Sequence, residues 1–77
     1  MDINSFVANF AGIFDDTDSS LITATTKFRD LEEWNSLVAL SLISMVDDEY
    51  DVKLKGEDIR SSNTVEEIYN KVVANKA

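Results

Sequence analysis

Apolar residues recur at helical spacing in three segments of the chain, and this pattern limits the fold more than any other feature of the sequence. In the first segment, the i, i+3 and i+4 positions hold Ile3, Phe6, Val7, Phe10 and Phe14. A stripe with this period is typical of an amphipathic helix that packs against a core. We therefore expect a helix over roughly residues 3–14, capped by Asp2 or Asn4.

The longest helical pattern runs from Asn35 to about Asp51. One face, expected to be buried, carries Ala39, Leu42, Ile43, Val46 and Tyr50. The opposite face, expected to be exposed, carries Leu37, Leu40, Ser41, Ser44, Asp47, Asp48 and Asp51. This exposed face is unusual, because two leucines lie near its start and a cluster of carboxylates lies near its end.

The last helix is predicted by a capping box, Thr64-Val65-Glu66-Glu67, with the cap at Asn63 or Thr64. Its core stripe is Val65, Ile68, Tyr69 and Val72. Before it, Val52 and Leu54 alternate with charged residues in a segment that has no strand partner, so we expect an extended connector with both side chains turned inward. Residues 56–60 are expected to form a short helix.

Residues 15–35 keep no regular period, and so long a connection needs anchors if it is to be ordered. The spacing of five apolar residues predicts that they pin this loop to the core: Leu21, Ile22, Phe28, Leu31 and Trp34. One short helical turn fits within it. The expected fold is an all-α, small four-helix bundle, with three main helices, one short helix and a long ordered first loop. The 77 residues are expected to form a single domain, 1–77.

Composition excludes several classes of function. The chain has no Cys and no His, so it lacks disulfides, thiol nucleophiles, Cys/His zinc sites and the commonest general base. Its net charge of −8 disfavours nucleic acid as a partner and favours a basic protein. The carboxylates around Asp47 crowd a helix end without a predicted cleft, which is typical of a solvated face. We expect a protein that is not an enzyme.

Metal-binding and membrane-spanning segments are not predicted. Asp16, Asp18 and Ser20 have the spacing that opens a calcium loop, but Leu21 and Lys27 stand where Gly and Glu are needed. The start of the chain lacks the cationic flank and apolar run of a signal peptide. The longest apolar stretch, residues 37–46, is too short for a bilayer. A cytoplasmic location is therefore expected.

Ser36 is the one candidate site that the helix pattern itself suggests. Asn35 is among the best N-cap residues, which places Ser36 in the first turn with its hydroxyl toward solvent. Free N–H groups and the positive end of the helix dipole favour a phosphate group there. Spacing alone leaves open a second interpretation, in which Ser36 is only a tolerated first-turn residue.

The residues around Ser36 resemble a known family. The run Phe28-Arg29-Asp30-Leu31-Glu32-Glu33-Trp34-Asn35-Ser36-Leu37 is similar to the prosthetic-group segment of the acyl carrier protein family, in which a Phe and a Leu precede a Gly-x-Asp-Ser-Leu motif. The similarity continues through Leu42, Val46, Asp48-Glu49-Tyr50 and Val52, and then through Asn63-Thr64-Val65 with Ile68. It covers essentially the whole chain. Each motif is short, but together they occur in the order and spacing of the family.

The resemblance implies a specific function. Ser36 matches the serine that receives 4'-phosphopantetheine from coenzyme A through a separate, magnesium-dependent phosphopantetheinyl transferase. The thiol of that arm carries acyl groups as thioesters, which fits a chain without Cys. Leu37, Leu40, Asp47 and Asp48 match the surface on which acyl-loading and acyl-using enzymes dock with basic patches. A monomeric, stand-alone carrier is expected.

The chain also departs from the family pattern. Asn35 stands where the family has Asp, and Glu33 stands where it has Gly. Val38, Ser41 and Ser44 occupy positions at which family members often carry charge. These changes suggest a dedicated carrier outside housekeeping fatty acid synthesis. Two alternatives remain: a carrier-like acidic interaction module that is never loaded, and an unrelated acidic helical adaptor that blocks a basic partner.

Overall fold

The computed structural model describes residues 2–76. Within them lie four α-helices: α1 (Ile3–Ala11), α2 (Ser36–Tyr50), α3 (Gly56–Arg60) and α4 (Val65–Asn75). The first loop contains two 3₁₀-helices, Ser19–Leu21 and Phe28–Asp30. No strand forms within residues 2–76. The predicted all-α bundle with three main helices and one short helix is confirmed. Met1 and Ala77, the ends of the predicted domain, lie outside the described residues.

The helix caps follow the sequence closely. The Asp2 carboxylate accepts a hydrogen bond from the N–H of Asn4, so Asp2 is the cap of α1. Thr64 caps α4 in a capping box with Glu67, in which each side chain accepts from the other residue's backbone. These bonds satisfy N–H groups that have no partner inside the helix.

Helix α1 ends three residues earlier than predicted. After Ala11 the N–H groups of Ile13 and Phe14 donate to the carbonyls of Phe10 and Ala11, at 3.2 Å in both cases. These are i→i−3 bonds, which tighten the chain into a turn instead of continuing the helix. The turn keeps Phe14 buried although it lies beyond the helix, and so the apolar period alone overstates the length of α1.

The core lies where α1 packs against α2 and α4, while α3 packs against α4. Its fully buried side chains are Phe6, Phe10, Phe28, Leu42, Val46, Val65, Ile68 and Val72. On the predicted buried face of α2, Leu42 and Val46 are inaccessible, whereas Ala39, Ile43 and Tyr50 are only half-buried. In the connector, Val52 and Leu54 point inward as predicted.

The first loop is ordered by both side chains and backbone. Ile22 and Phe28 are buried, as predicted, but Leu21 is 62% exposed, so its prediction as an anchor is wrong. Leu21 is the last residue of a 3₁₀-helix, and it is the next residue, Ile22, that enters the core. Backbone N–H groups at the start of α4 donate to the loop, Val65 to the Thr26 carbonyl at 3.2 Å and Glu66 to that of Ala24 at 2.9 Å.

No helix within residues 2–76 combines the length and the apolar character that are needed to cross a membrane.

Candidate functional site

Helix α2 begins at Ser36, and Asn35 is its N-cap. Asn35 is extended, with φ −158° and ψ −174°, and its side-chain oxygen accepts a hydrogen bond from the Val38 N–H at 3.0 Å. Its carbonyl accepts the N–H of Ala39 at 3.0 Å, the first bond of the helix. The predicted cap is confirmed. Ser36 is therefore the first helical residue, and it is exposed.

Aromatic packing fixes the direction from which the chain enters α2. The ring of Trp34 lies 4.9 Å from that of Phe28 and 6.4 Å from that of Phe14, measured between centroids. Phe28 in turn contacts Phe10 edge-on at 5.7 Å. Because Phe10 and Phe28 are inaccessible to solvent, the residue two positions before Ser36 is tied to the centre of the core.

The start of α2 is suited to an anion. The cap and the first helical bond satisfy the N–H groups of Val38 and Ala39, while those of Ser36 and Leu37 have no acceptor among residues 2–76. Free N–H groups at the positive end of a 15-residue helix attract a phosphate. No titratable side chain hydrogen-bonds to Ser36 in this part of the chain. The hydroxyl is therefore exposed without a hydrogen-bonded base among residues 2–76.

A groove opens beside Ser36 between α2 and α3, with a volume of about 550 Å³. Its walls are largely apolar and include Ala39, Leu40, Ile43 and Ile59. Sequence reasoning missed this groove. The helical period assigns Ala39 and Ile43 to the buried face of α2, but only the position of α3 leaves them half-covered.

The other predicted site residues also lie on α2, and one of them, Leu40, lines the groove as well. Leu37 is 73% and Leu40 is 61% exposed, and Asp48 is exposed as well. Asp47 is less open, because the Lys53 ammonium donates to both its carboxylate oxygens at 2.8 Å. This bond raises the pKa of Lys53. The pair reduces the negative charge that the surface offers at Asp47, and sequence reasoning did not identify Lys53.

Glu33, which stands where the related family has Gly, is tied to the start of the first loop. Its carboxylate accepts hydrogen bonds from the backbone N–H of Asp15 at 2.8 Å, from that of Asp16, and from the hydroxyl of Thr17. These bonds, led by that of Thr17, hold the pKa of Glu33 below its usual value. The departure from the family pattern therefore has a structural role beside the site.

Carboxylates elsewhere do not converge. Within the part of the chain that the structure describes, no group of three or more acidic side chains is placed to hold a metal ion. Asp16 and Asp18 therefore belong to no such group, although their spacing resembles that of a calcium loop. The Asp18 carboxylate instead accepts a hydrogen bond from the Ser20 N–H at 3.0 Å in a local turn.

Comparison with known proteins identifies the family. The family model described as "Phosphopantetheine attachment site" matches residues 5–72 of the 77-residue chain. No curated protein and no solved structure matches the chain significantly. Proteins of the matched family are carrier domains, not catalysts, and bear a covalently attached 4'-phosphopantetheine group. The chain therefore belongs to the phosphopantetheine attachment site family.

Proposed function

We propose that this protein carries acyl or similar groups as thioesters on a 4'-phosphopantetheine arm attached to Ser36, and that it presents them to partner enzymes. The observation that carries the proposal is the exposed position of Ser36 at the start of α2, in a chain whose residues 5–72 match the family. Asn35 caps α2, so that an exposed hydroxyl stands at the positive end of a long helix, beside an apolar groove.

The residues at the start of α2 fit the group. The unpaired N–H groups of Ser36 and Leu37 would stabilise the negative charge of a phosphate on the Ser36 oxygen. The Asn35 cap holds this turn of helix whether or not the arm is present, because its bond to Val38 is internal. When bound, the group supplies the thiol that the chain itself lacks.

Attachment requires a separate enzyme. A bond forms between the Ser36 oxygen and the phosphorus that carries the pantetheine chain of coenzyme A. The pyrophosphate bond breaks, and adenosine 3',5'-bisphosphate leaves with the bridging oxygen. The hydroxyl proton passes to a base of the phosphopantetheinyl transferase, since no side chain among residues 2–76 is placed to accept it. The contribution of this chain is the orientation of the nucleophile.

The partners that fit the outer face of α2 are enzymes with an apolar patch bordered by Lys or Arg. Leu37 and Leu40 supply the apolar contact, and Asp48 supplies a free negative charge. Asp47 also belongs to this docking surface, with its charge partly offset by Lys53. This docking surface needs no second copy of the chain, so we expect a monomer, which sedimentation tests. We also expect the protein in the cytoplasm, which cell fractionation tests.

A second function is a carrier-like module that is never loaded and only binds basic partners. Two features favour it. Asn35 lacks the charge of the family's Asp, and the pair of Lys53 with Asp47 reduces the acidity of the docking surface. Both features bear on recognition by a transferase and not on the presence of the serine, so the two functions differ in a measurable modification.

The mass of the protein purified from its native cells distinguishes them. A fraction heavier by one phosphopantetheine unit, with the increment located on Ser36 by fragmentation, supports the carrier. A chain that is always unmodified, under growth conditions in which other carriers of the same cells are loaded, supports the interaction module. An increment on any other residue contradicts the assignment of the site.

A further inference from the structure

We propose that the groove beside Ser36 holds cargo whose acyl chain ends in a carboxylate, with Arg29 and Arg60 binding that end. The inference rests on the proposed carrier function and adds the chemical class of the cargo. The groove is lined by positive charge, whereas the whole chain has a net charge of −8.

The chain has 15 acidic residues and 7 basic ones, of which only two are arginines. Both arginines line this one groove, and no Asp or Glu does. The five lysines lie elsewhere. A cationic, carboxylate-free groove in a protein of net charge −8 is suited to an anion that the rest of the surface repels.

The two guanidinium groups are available to a ligand. Arg29 donates from Nη2 to the Asn63 side-chain oxygen at 2.6 Å, which orients the group while leaving most of its five donors unused. The Arg60 guanidinium makes no hydrogen bond within residues 2–76. The only ion pair in that range joins Lys53 to Asp47, so neither arginine is neutralised by a carboxylate.

The Arg60 guanidinium lies close to a glycine, Gly56. A Cβ added at Gly56 would lie 3.3 Å from Arg60 Nη1, tighter than ordinary contact, so the guanidinium rests against backbone that has no side chain. Besides the arginines and Ser36, the groove is lined by apolar side chains, among them Ala39, Ile43 and Ile59. An occupant with an apolar middle and an anionic end matches this combination of walls. A guanidinium recognises a carboxylate through paired donors better than an ammonium does.

The test compares acyl chains of equal length. A broad-specificity transferase loads the protein from glutaryl-coenzyme A or from pentanoyl-coenzyme A, and intact mass confirms each product. Failure of both to load counts against the carrier function itself and is visible before the cargo is examined. The rate at which hydroxylamine cleaves each protein thioester is then divided by the rate for the corresponding acyl-coenzyme A, which removes the intrinsic reactivity of the acyl group.

We expect the glutaryl thioester to be protected about two- to fivefold more than the pentanoyl thioester at low salt, the range of one solvent-open ion pair. The difference should shrink in Arg60→Gln, disappear in the Arg29→Gln, Arg60→Gln double variant, and decrease as salt rises. Lys27→Gln is the matched control: it removes the same charge from an exposed residue near Arg29 that does not line the groove. It should leave the difference unchanged.

The acidic protein as a whole repels the terminal carboxylate of the glutaryl group, and this repulsion opposes the expected protection. Equal protection of the two thioesters, or stronger protection of the pentanoyl form, would overturn the proposal. Equal loss of protection for both cargos in the arginine variants would overturn it too, because the arginines would then bind the phosphate of the arm. Melting curves of the Arg60→Gln protein, which keeps the Arg29–Asn63 bond, verify that the fold is intact.

Discussion

The carboxylate of Glu33 accepts a 2.7 Å hydrogen bond from the hydroxyl of Thr17. The two residues lie 16 positions apart, and the same carboxylate also receives the N–H groups of Asp15 and Asp16. The Glu33 side chain thus connects the start of the first loop to the segment that leads into α2. Glu33 lies three residues before Ser36, so this contact links the first loop to the segment that leads to the site.

Replacing Glu33 by Gln tests this contact through its pH dependence. The pKa of Glu33 is lowered in the folded chain, chiefly by the Thr17 hydroxyl, from a usual value of 4.5. A lowered pKa stabilises the fold above the unfolded pKa, and that stability is lost as the pH falls through the folded value. We expect Glu33→Gln to melt at a lower temperature than wild type at pH 7, and the gap to narrow progressively as the pH falls below about 4.5.

The matched control for this series is Glu32→Gln, which removes the same charge from an exposed neighbour. Its effect on the melting temperature should be small at either pH. A gap for Glu33→Gln that stays constant from pH 7 to pH 3 would show that the carboxylate does not stabilise the loop through its charged form.

Phe28 is the anchor of the first loop, because its ring is inaccessible and contacts both Phe10 and Trp34. Truncation of a buried Phe to Ala costs about 3–5 kcal/mol, a large part of the stability of a small domain. We expect Phe28→Ala to lower the midpoint of chemical denaturation strongly. Leu21→Ala, in the same loop but exposed, should change it by less than about 0.5 kcal/mol. Similar losses for the two variants would contradict this account of the loop.

Local patterns predicted most of the fold. The caps at Asn35 and Thr64 and the inward side chains of Val52 and Leu54 follow from residue type and spacing alone. The exposed position of Ser36 follows from the cap. These features depend on neighbours within a few residues, which a single sequence displays directly.

Features that depend on distant partners were not predictable in this way. The bonds of Glu33 to the first loop and of Arg29 to Asn63 join residues whose proximity arises only once the helices pack. The end of α1 at Ala11 and the exposure of Leu21 reflect short 3₁₀ turns, and an apolar period does not distinguish these from a continued helix. The groove has the same origin, since it exists only where α3 leaves α2 uncovered.

Two substitutions of Asn35 separate its role as helix cap from the effect of a negative charge at this position. Asn35→Ala removes the bond to Val38 and should cost about 0.5–2 kcal/mol. Asn35→Asp keeps a capping oxygen and adds a negative charge at the helix start, which favours it by about 0.3–1 kcal/mol. We expect Asn35→Asp to melt no lower than wild type and to be loaded faster at low salt by a basic transferase. Slower loading of this variant would show that the native transferase is matched to Asn.

Substitutions on the docking surface should distinguish apolar from electrostatic contributions to partner binding. The surface consists of Leu37, Leu40, Asp47 and Asp48. Leu37→Ala and Leu40→Ala are expected to weaken binding to a cognate transferase to a degree that salt does not change. Asp48→Lys and Asp47→Lys should slow association severalfold at low salt, with the defect shrinking as salt rises. Asp47→Lys additionally leaves Lys53 without its partner. Association rates across a salt series measure both effects.

Asp15→Lys is the charge-matched control for this surface, because Asp15 is exposed on the first loop and lies outside α2. It should bind as wild type does. The melting temperatures of the exposed variants should barely move, since surface substitutions usually change stability by less than about 0.5 kcal/mol. If the Lys variants of α2 bind as well as wild type at low salt, partners dock on another face.

The central claim is that Ser36 receives the prosthetic group, and intact-protein mass tests it most directly. Wild type, Ser36→Ala and Ser41→Ala are incubated with coenzyme A, magnesium and a broad-specificity phosphopantetheinyl transferase, alongside a carrier known to be loaded. Ser41 is the matched control, an exposed serine five positions later on the same helix. Wild type and Ser41→Ala should each gain one phosphopantetheine unit, and Ser36→Ala should gain none. A modified Ser36→Ala protein, or a wild type left unmodified while the reference carrier is loaded, would contradict the account.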